Sequence, residues 1–102
     1  MTMTGKERAE LRSHANGLKA TVHAGQHGLT GALMQSLDDA LRTRELVKVQ
    51  LGKQGELSAK EAAGQLAAAA KAEVVQVIGK TVTLYRHNPK IERRSGVNPW
   101  EV

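Results

Sequence analysis

A chain of 102 residues supports one two-layer core but not a deep, walled cavity, so a buried multi-part active site is not expected. Fifteen Lys and Arg against ten Asp and Glu give a formal net charge of +5, a balance that suits a polyanionic partner such as nucleic acid or an acidic membrane surface. The absence of cysteine excludes disulfides and thiolate chemistry, and Tyr85 and Trp100, the only aromatic residues, are too few for a base-stacking platform.

Thr4-Gly5-Lys6-Glu7 has the spacing of a capping box and predicts a first helix from about Gly5 to Ala15, ended by Asn16-Gly17. Residues 20–24, ATVHA, alternate in the manner of a short half-buried strand that leads into Gly25-Gln26-His27-Gly28. Thr30 is placed to cap a second helix, on which Leu33, Leu37, Ala40 and Leu41 fall at helical spacing up to about Arg42. ELVKVQL, residues 45–51, is the clearest strand, with Val47, Val49 and Leu51 on one face and Lys48 and Gln50 on the other. It runs into a second glycine pair, Gly52-Lys53-Gln54-Gly55.

Ser58-Ala59-Lys60-Glu61 has capping-box spacing again, and the alanine-rich run to about Lys71 has strong helix propensity. Residues 74–79 and 81–86 read as two strands joined so tightly at Gly79-Lys80 that they form a hairpin. The expected fold class is therefore α/β, a two-layer sandwich of order αβαβαββ with a four-stranded mixed sheet. Helices should lie mainly on one face and leave the other wet, with Thr21, His23, Lys48, Gln50, Gln76, Thr83 and Tyr85 on the polar side. One domain is expected over residues 1–87, followed by an irregular basic tail over 88–102. No apolar run reaches the roughly 20 residues that span a bilayer, and a cytoplasmic location is expected.

A glycine pair between a strand and a helix permits positive φ and close approach, and the helix N-terminus behind it favours a phosphate. By itself the spacing also describes an ordinary turn. The four histidines show no metal-ligand spacing, and no metal or cofactor is expected. Asp38-Asp39 points its two carboxylates about 100° apart on a helix, as a solvated face does. Ser13, Ser36, Ser58 and Ser95 lack a nucleophile-elbow context, so nothing argues for an enzyme. Lys80, Arg86, Lys90, Arg93 and Arg94, against Glu92 alone, concentrate positive charge between residues 80 and 94.

Residues 11–51 together with VQVIGKTVTLYR, residues 75–86, resemble the CRM domain, the chloroplast RNA splicing and ribosome maturation module. The nearest kind of member is the bacterial single-domain YhbY-like protein. The resemblance rests on Leu18-Lys19, the glycine loop followed by Leu29-Thr30, the ELVKV strand and the IGKTVTLYR hairpin. It implies a fold similar to the C-terminal domain of translation initiation factor 3. It also implies an RNA-facing loop like that of KH domains and association with precursors of the large ribosomal subunit.

Carried onto this chain, the implied RNA-binding residues are Gly25, Gln26, His27 and Gly28 with Lys6, Arg8, Arg12, Lys19, Lys80 and Arg86. Lys53, Lys90, Arg93 and Arg94 are peripheral candidates. The expected partner is RNA of large-subunit precursors, held through its backbone. Two other readings stay open from the residues: a protein-interaction module using the wet sheet face around Tyr85, and a DNA-binding role resting on charge.

Overall fold

The structure, a computed structural model, describes residues 4–24, 30–52 and 58–90. Its elements are α1 (Gly5–Ala15), β1 (Val22–His23), α2 (Gly31–Arg44), β2 (Leu46–Gln50), α3 (Ala59–Ala70), β3 (Glu73–Ile78) and β4 (Thr81–Tyr85). The order is the one the sequence predicts. Local chemistry explains the helix starts: the Thr4 hydroxyl accepts from the Glu7 amide at 3.1 Å while the Glu7 carboxylate reaches back to the Thr4 amide. Thr30 accepts from the Leu33 amide, and Ser58 accepts from the Glu61 amide, each at 3.1 Å.

The four strands form one mixed sheet in the order β1-β2-β4-β3. β1 pairs with β2 in parallel, and the other pairings are antiparallel. β1 is shorter than the alternation of residues 20–24 suggests, yet Thr21 donates to the Lys48 carbonyl and Ala24 to the Gln50 carbonyl, so the ladder reaches past its two strand residues. At the hairpin turn Gly79 has φ of 57°, a conformation that costs glycine little and other residues more. Lys80, which follows it, does not share a positive φ, a pattern that suits a type II′ turn with glycine first.

The main core lies between the sheet and α2 with α3. Leu33, Leu37 and Leu41 from α2 and Ala62, Ala63, Leu66 and Ala70 from α3 pack on Val22, Val47, Val49, Val82 and Leu84. Alanines on the inner face of α3 bring its backbone close to the sheet, which lets a core without aromatic rings close. A second cluster joins Leu11 and Ala15 of α1 to Leu46 and Val75, with Leu18 and Tyr85 packed at its edge.

Two helices thus cover one face, and α1 covers part of the other. The wet face is narrower than the sequence suggests, because Leu11 and Ala15, one helical turn apart, form an apolar stripe just wide enough for Leu46, Val75 and Tyr85. A shift of register between Val74 and Gln76 belongs to the same adjustment. The extra residue lets Val74 and Val77 both pack against the main core while Val75 turns under α1 and Gln76 toward the open part of the face.

Candidate nucleic-acid interface

Because β1 and β2 run parallel, their C-terminal ends lie side by side. The Ala24 amide donates to the Gln50 carbonyl at 2.8 Å, and the Leu51 amide donates to the Lys80 carbonyl at 2.8 Å. One end of the sheet therefore gathers Ala24, which precedes the first glycine pair, Gly52, which opens the second, and the Gly79-Lys80 turn. α2 and α3 each follow one of these exits, so their N-termini belong to the same end, where the helix dipole favours an anion. Thr30 and Ser58 each satisfy one early amide of their helix and leave others for outside acceptors.

Gly25, Gln26, His27, Gly28 and Lys53 lie outside the described residues, as do Arg93 and Arg94. Lys80 is exposed in the hairpin turn at the gathered end. Lys19 is exposed in the link between α1 and β1, next to Leu18, whose carbonyl accepts from the Lys48 ammonium at 3.0 Å. Lys6 and Arg12 are exposed on α1, whereas Arg8 is half-buried and its Nε is enclosed without a hydrogen-bond partner. Among the described residues, no carboxylate pairs with Lys6, Arg12, Lys19 or Lys80.

Arg86 is brought elsewhere, to the opposite end of the sheet. Its guanidinium donates to the Ala70 carbonyl at 2.7 Å and the Asp38 carbonyl at 3.2 Å, and pairs with the Asp38 carboxylate at 3.0 Å. Lys90 follows Asn88, whose amide groups bind the Glu45 carboxylate and the Arg42 carbonyl at that same far end. Asp38 and Asp39 both pair with Arg42, whose pKa is raised above its ordinary value, first by its hydrogen bond to Asp39. The far end is thus a mixed, internally paired network.

Sequence reasoning did not single out Lys48 and Gln76 as site residues. Cross-strand register sets Lys48, Thr83 and Gln76 in one row and Gln50, Thr81 and Ile78 in the next, with His23 beside Gln50 on β1. Their alternation with core residues was visible, but the row itself needs the strand order. Tyr85, by contrast, is half-buried at the rim of the α1 cluster rather than central to an open face. Among the described residues no group of three or more His, Asp or Glu is arranged to hold a metal, and no helix is long and apolar enough to cross a membrane.

A four-stranded mixed sheet with helices on both faces, whose two parallel strands end side by side, defines a small α/β module. The CRS1 / YhbY (CRM) domain model matches residues 3–86, and the chain belongs to that family. It is 31% identical over 90 residues to a Pseudomonas aeruginosa protein named "Probable RNA-binding protein", an alignment covering 88% of this chain and 86% of the relative. It is likewise 31% identical over 86 residues to the "Probable RNA-binding protein YqeI" of Bacillus subtilis, covering 84% and 90%. The solution structure of a hypothetical protein from Staphylococcus aureus superposes with a TM-score of 0.78 at 33% identity, covering 96% of this chain and all of that one.

Proposed function

We propose that this protein binds RNA, specifically precursors of large-subunit ribosomal RNA, and assists assembly of the large subunit. The observation that carries the reading is the gathering, at one end of the sheet, of both glycine-paired exits, two helix N-termini and Lys80, in a chain whose relatives are named for RNA binding. Gly25 to Gly28 supply backbone approach to phosphate, as glycine pairs before a helix do. Lys80 flanks that contact from the hairpin turn, Lys19 adds a cation at the entry to β1, and Lys6, Arg8 and Arg12 extend positive charge along α1. Lys53, Lys90, Arg93 and Arg94 are outer contacts. Arg86 orders the far end of the fold and reaches RNA only indirectly, through the stability it gives β4.

Recognition through phosphates makes affinity fall steeply with salt, in proportion to the number of phosphates neutralised. Replacing Gln26 and His27 with aspartates sets two negative charges against the phosphate backbone. The double variant should fold as the parent does and lose RNA binding by at least about tenfold, read by fluorescence anisotropy on a ribosomal RNA fragment. Undiminished affinity in the folded double variant removes the glycine loop from the interface. Crosslinking in cells tests the ribosomal assignment: reads should concentrate in precursor rRNA, and reads spread over messenger RNAs without that enrichment overturn it.

A further inference from the structure

On the face that α1 leaves open, a cavity of about 160 Å³ is lined by Asn16, Lys48, Gln76, Ile78, Thr81 and Thr83. Its floor is the row Lys48, Thr83 and Gln76, and its rim toward the hairpin is the row Thr81 and Ile78. Two features in it are unexplained by folding. The hydroxyl of Thr83, a residue only 1% exposed, is enclosed without a hydrogen-bond partner, where buried hydroxyls are ordinarily satisfied. Ile78 stands 60% exposed, the one large apolar side chain so placed among the described residues.

Resting on the RNA-binding reading, we infer that this cavity receives a single pyrimidine base turned out of the bound RNA. Size suits the ligand: roughly 150 Å³ accommodates one six-membered ring, as benzene shows, so a pyrimidine fits within the cavity while a fused purine would project from its open side. Chemistry matches the ring edge. The Lys48 ammonium donates only, which suits a ring carbonyl, while the Gln76 and Asn16 amides and the Thr83 hydroxyl both donate and accept. Ile78 offers an apolar surface to the face of the ring.

The Lys48 side chain rests on the Leu18 carbonyl and Gln76 is half-buried, and both flank Thr83 in register, so the base reaches the Thr83 hydroxyl when these two chains shift and turn their polar ends to its edge. A chain without a stacking platform thereby reads one base by its edge. The cavity adjoins the sheet end where Ala24, Gly52 and Lys80 meet, so a strand held there by its phosphates can lay the next base on it.

The test compares the full-length protein on three RNA stem-loops that share a stem and differ in a loop of uridines, cytidines or adenosines, with affinity read by fluorescence anisotropy. Both pyrimidine loops should bind roughly threefold to tenfold more tightly than the adenosine loop, the range one or two hydrogen bonds supply. Thr83→Val, which keeps the shape and removes the unpaired hydroxyl, and Gln76→Ala, at a half-buried site, should each lower pyrimidine-loop affinity toward the adenosine value. Adenosine-loop affinity and the salt slope should stay as in the parent. If Thr83→Val does not fold, Gln76→Ala alone carries the comparison. Equal binding of all three loops by the parent overturns the pocket and leaves RNA binding intact, as does a pyrimidine preference that survives both substitutions. Failure of every loop to bind overturns the RNA-binding reading itself, and the pocket with it.

Discussion

The guanidinium of Arg86 has a fork of donors that suits phosphate, but here it joins the C-terminus of α3 through Ala70 to α2 through Asp38, while the Arg86 backbone amide donates to the carbonyl of Glu45, between α2 and β2. Lysine keeps the charge and loses the fork. Arg86→Lys should therefore lower unfolding free energy by about 1–3 kcal/mol, the cost of leaving such carbonyls poorly served. Arg86→Met, which removes the charge as well, should leave the salt slope of RNA affinity unchanged in the folded protein, whereas loss of a true phosphate contact reduces that slope by about one. Chemical denaturation of the first variant and salt titration of the second separate the two roles. Glu45 belongs to the same network: fully buried at φ 65°, it closes α2 while its carboxylate accepts from the Asn88 amide at 2.6 Å and meets His87 at 3.2 Å. The sequence reads Glu45 as the head of a strand, and the resemblance alone puts Arg86 among RNA contacts; nothing local reveals that residues about forty positions apart meet at one sheet end.

Elements whose signals are local were legible. Thr4, Thr30 and Ser58 cap their helices because a side-chain oxygen and an amide three residues on suffice. The Gly79-Lys80 hairpin was legible for the same reason. What the sequence left open was the side of the sheet on which α1 lies, since its buried surface amounts to Leu11 and Ala15 in an otherwise polar helix. That placement decides the extent of the wet face and the bulge at Val75, and both were missed together. It also makes α1 a separable layer: Leu11→Ala should cost about 2 kcal/mol and raise amide exchange chiefly in α1. Leu37→Ala, at the centre of the main core, should accelerate exchange across α2, α3 and the sheet. Exchange followed by mass spectrometry distinguishes these patterns, and uniform acceleration by Leu11→Ala contradicts a separable first helix.

At the scale of the whole molecule, the question is whether RNA responds to the net charge of +5 or to where the charges sit. The fold separates them. Asp38 and Asp39 draw Arg42 and Arg86 into pairs at the far end, while Lys80 stands at the glycine exits and Lys19 at the entry to β1, neither with a carboxylate partner among the described residues. Two double variants lower net charge equally: Lys19→Glu with Lys80→Glu, both among the proposed RNA contacts, and Arg44→Glu with Lys71→Glu at the helix ends opposite the exits. Over the length of the sheet, physiological salt screens the second pair, because its Debye length is about 8 Å. The first pair should weaken RNA binding by at least about tenfold and flatten its salt dependence. The second should change affinity by less than about twofold, though replacing the last-turn cation of α2 and the cation that caps α3 lowers stability by about 0.3–1 kcal/mol each. Thermal unfolding confirms that both proteins are folded at the assay temperature. Equal losses from the two variants would mean that the chain attracts RNA as a diffuse polycation, and the converging strand ends would then have no special part in holding it.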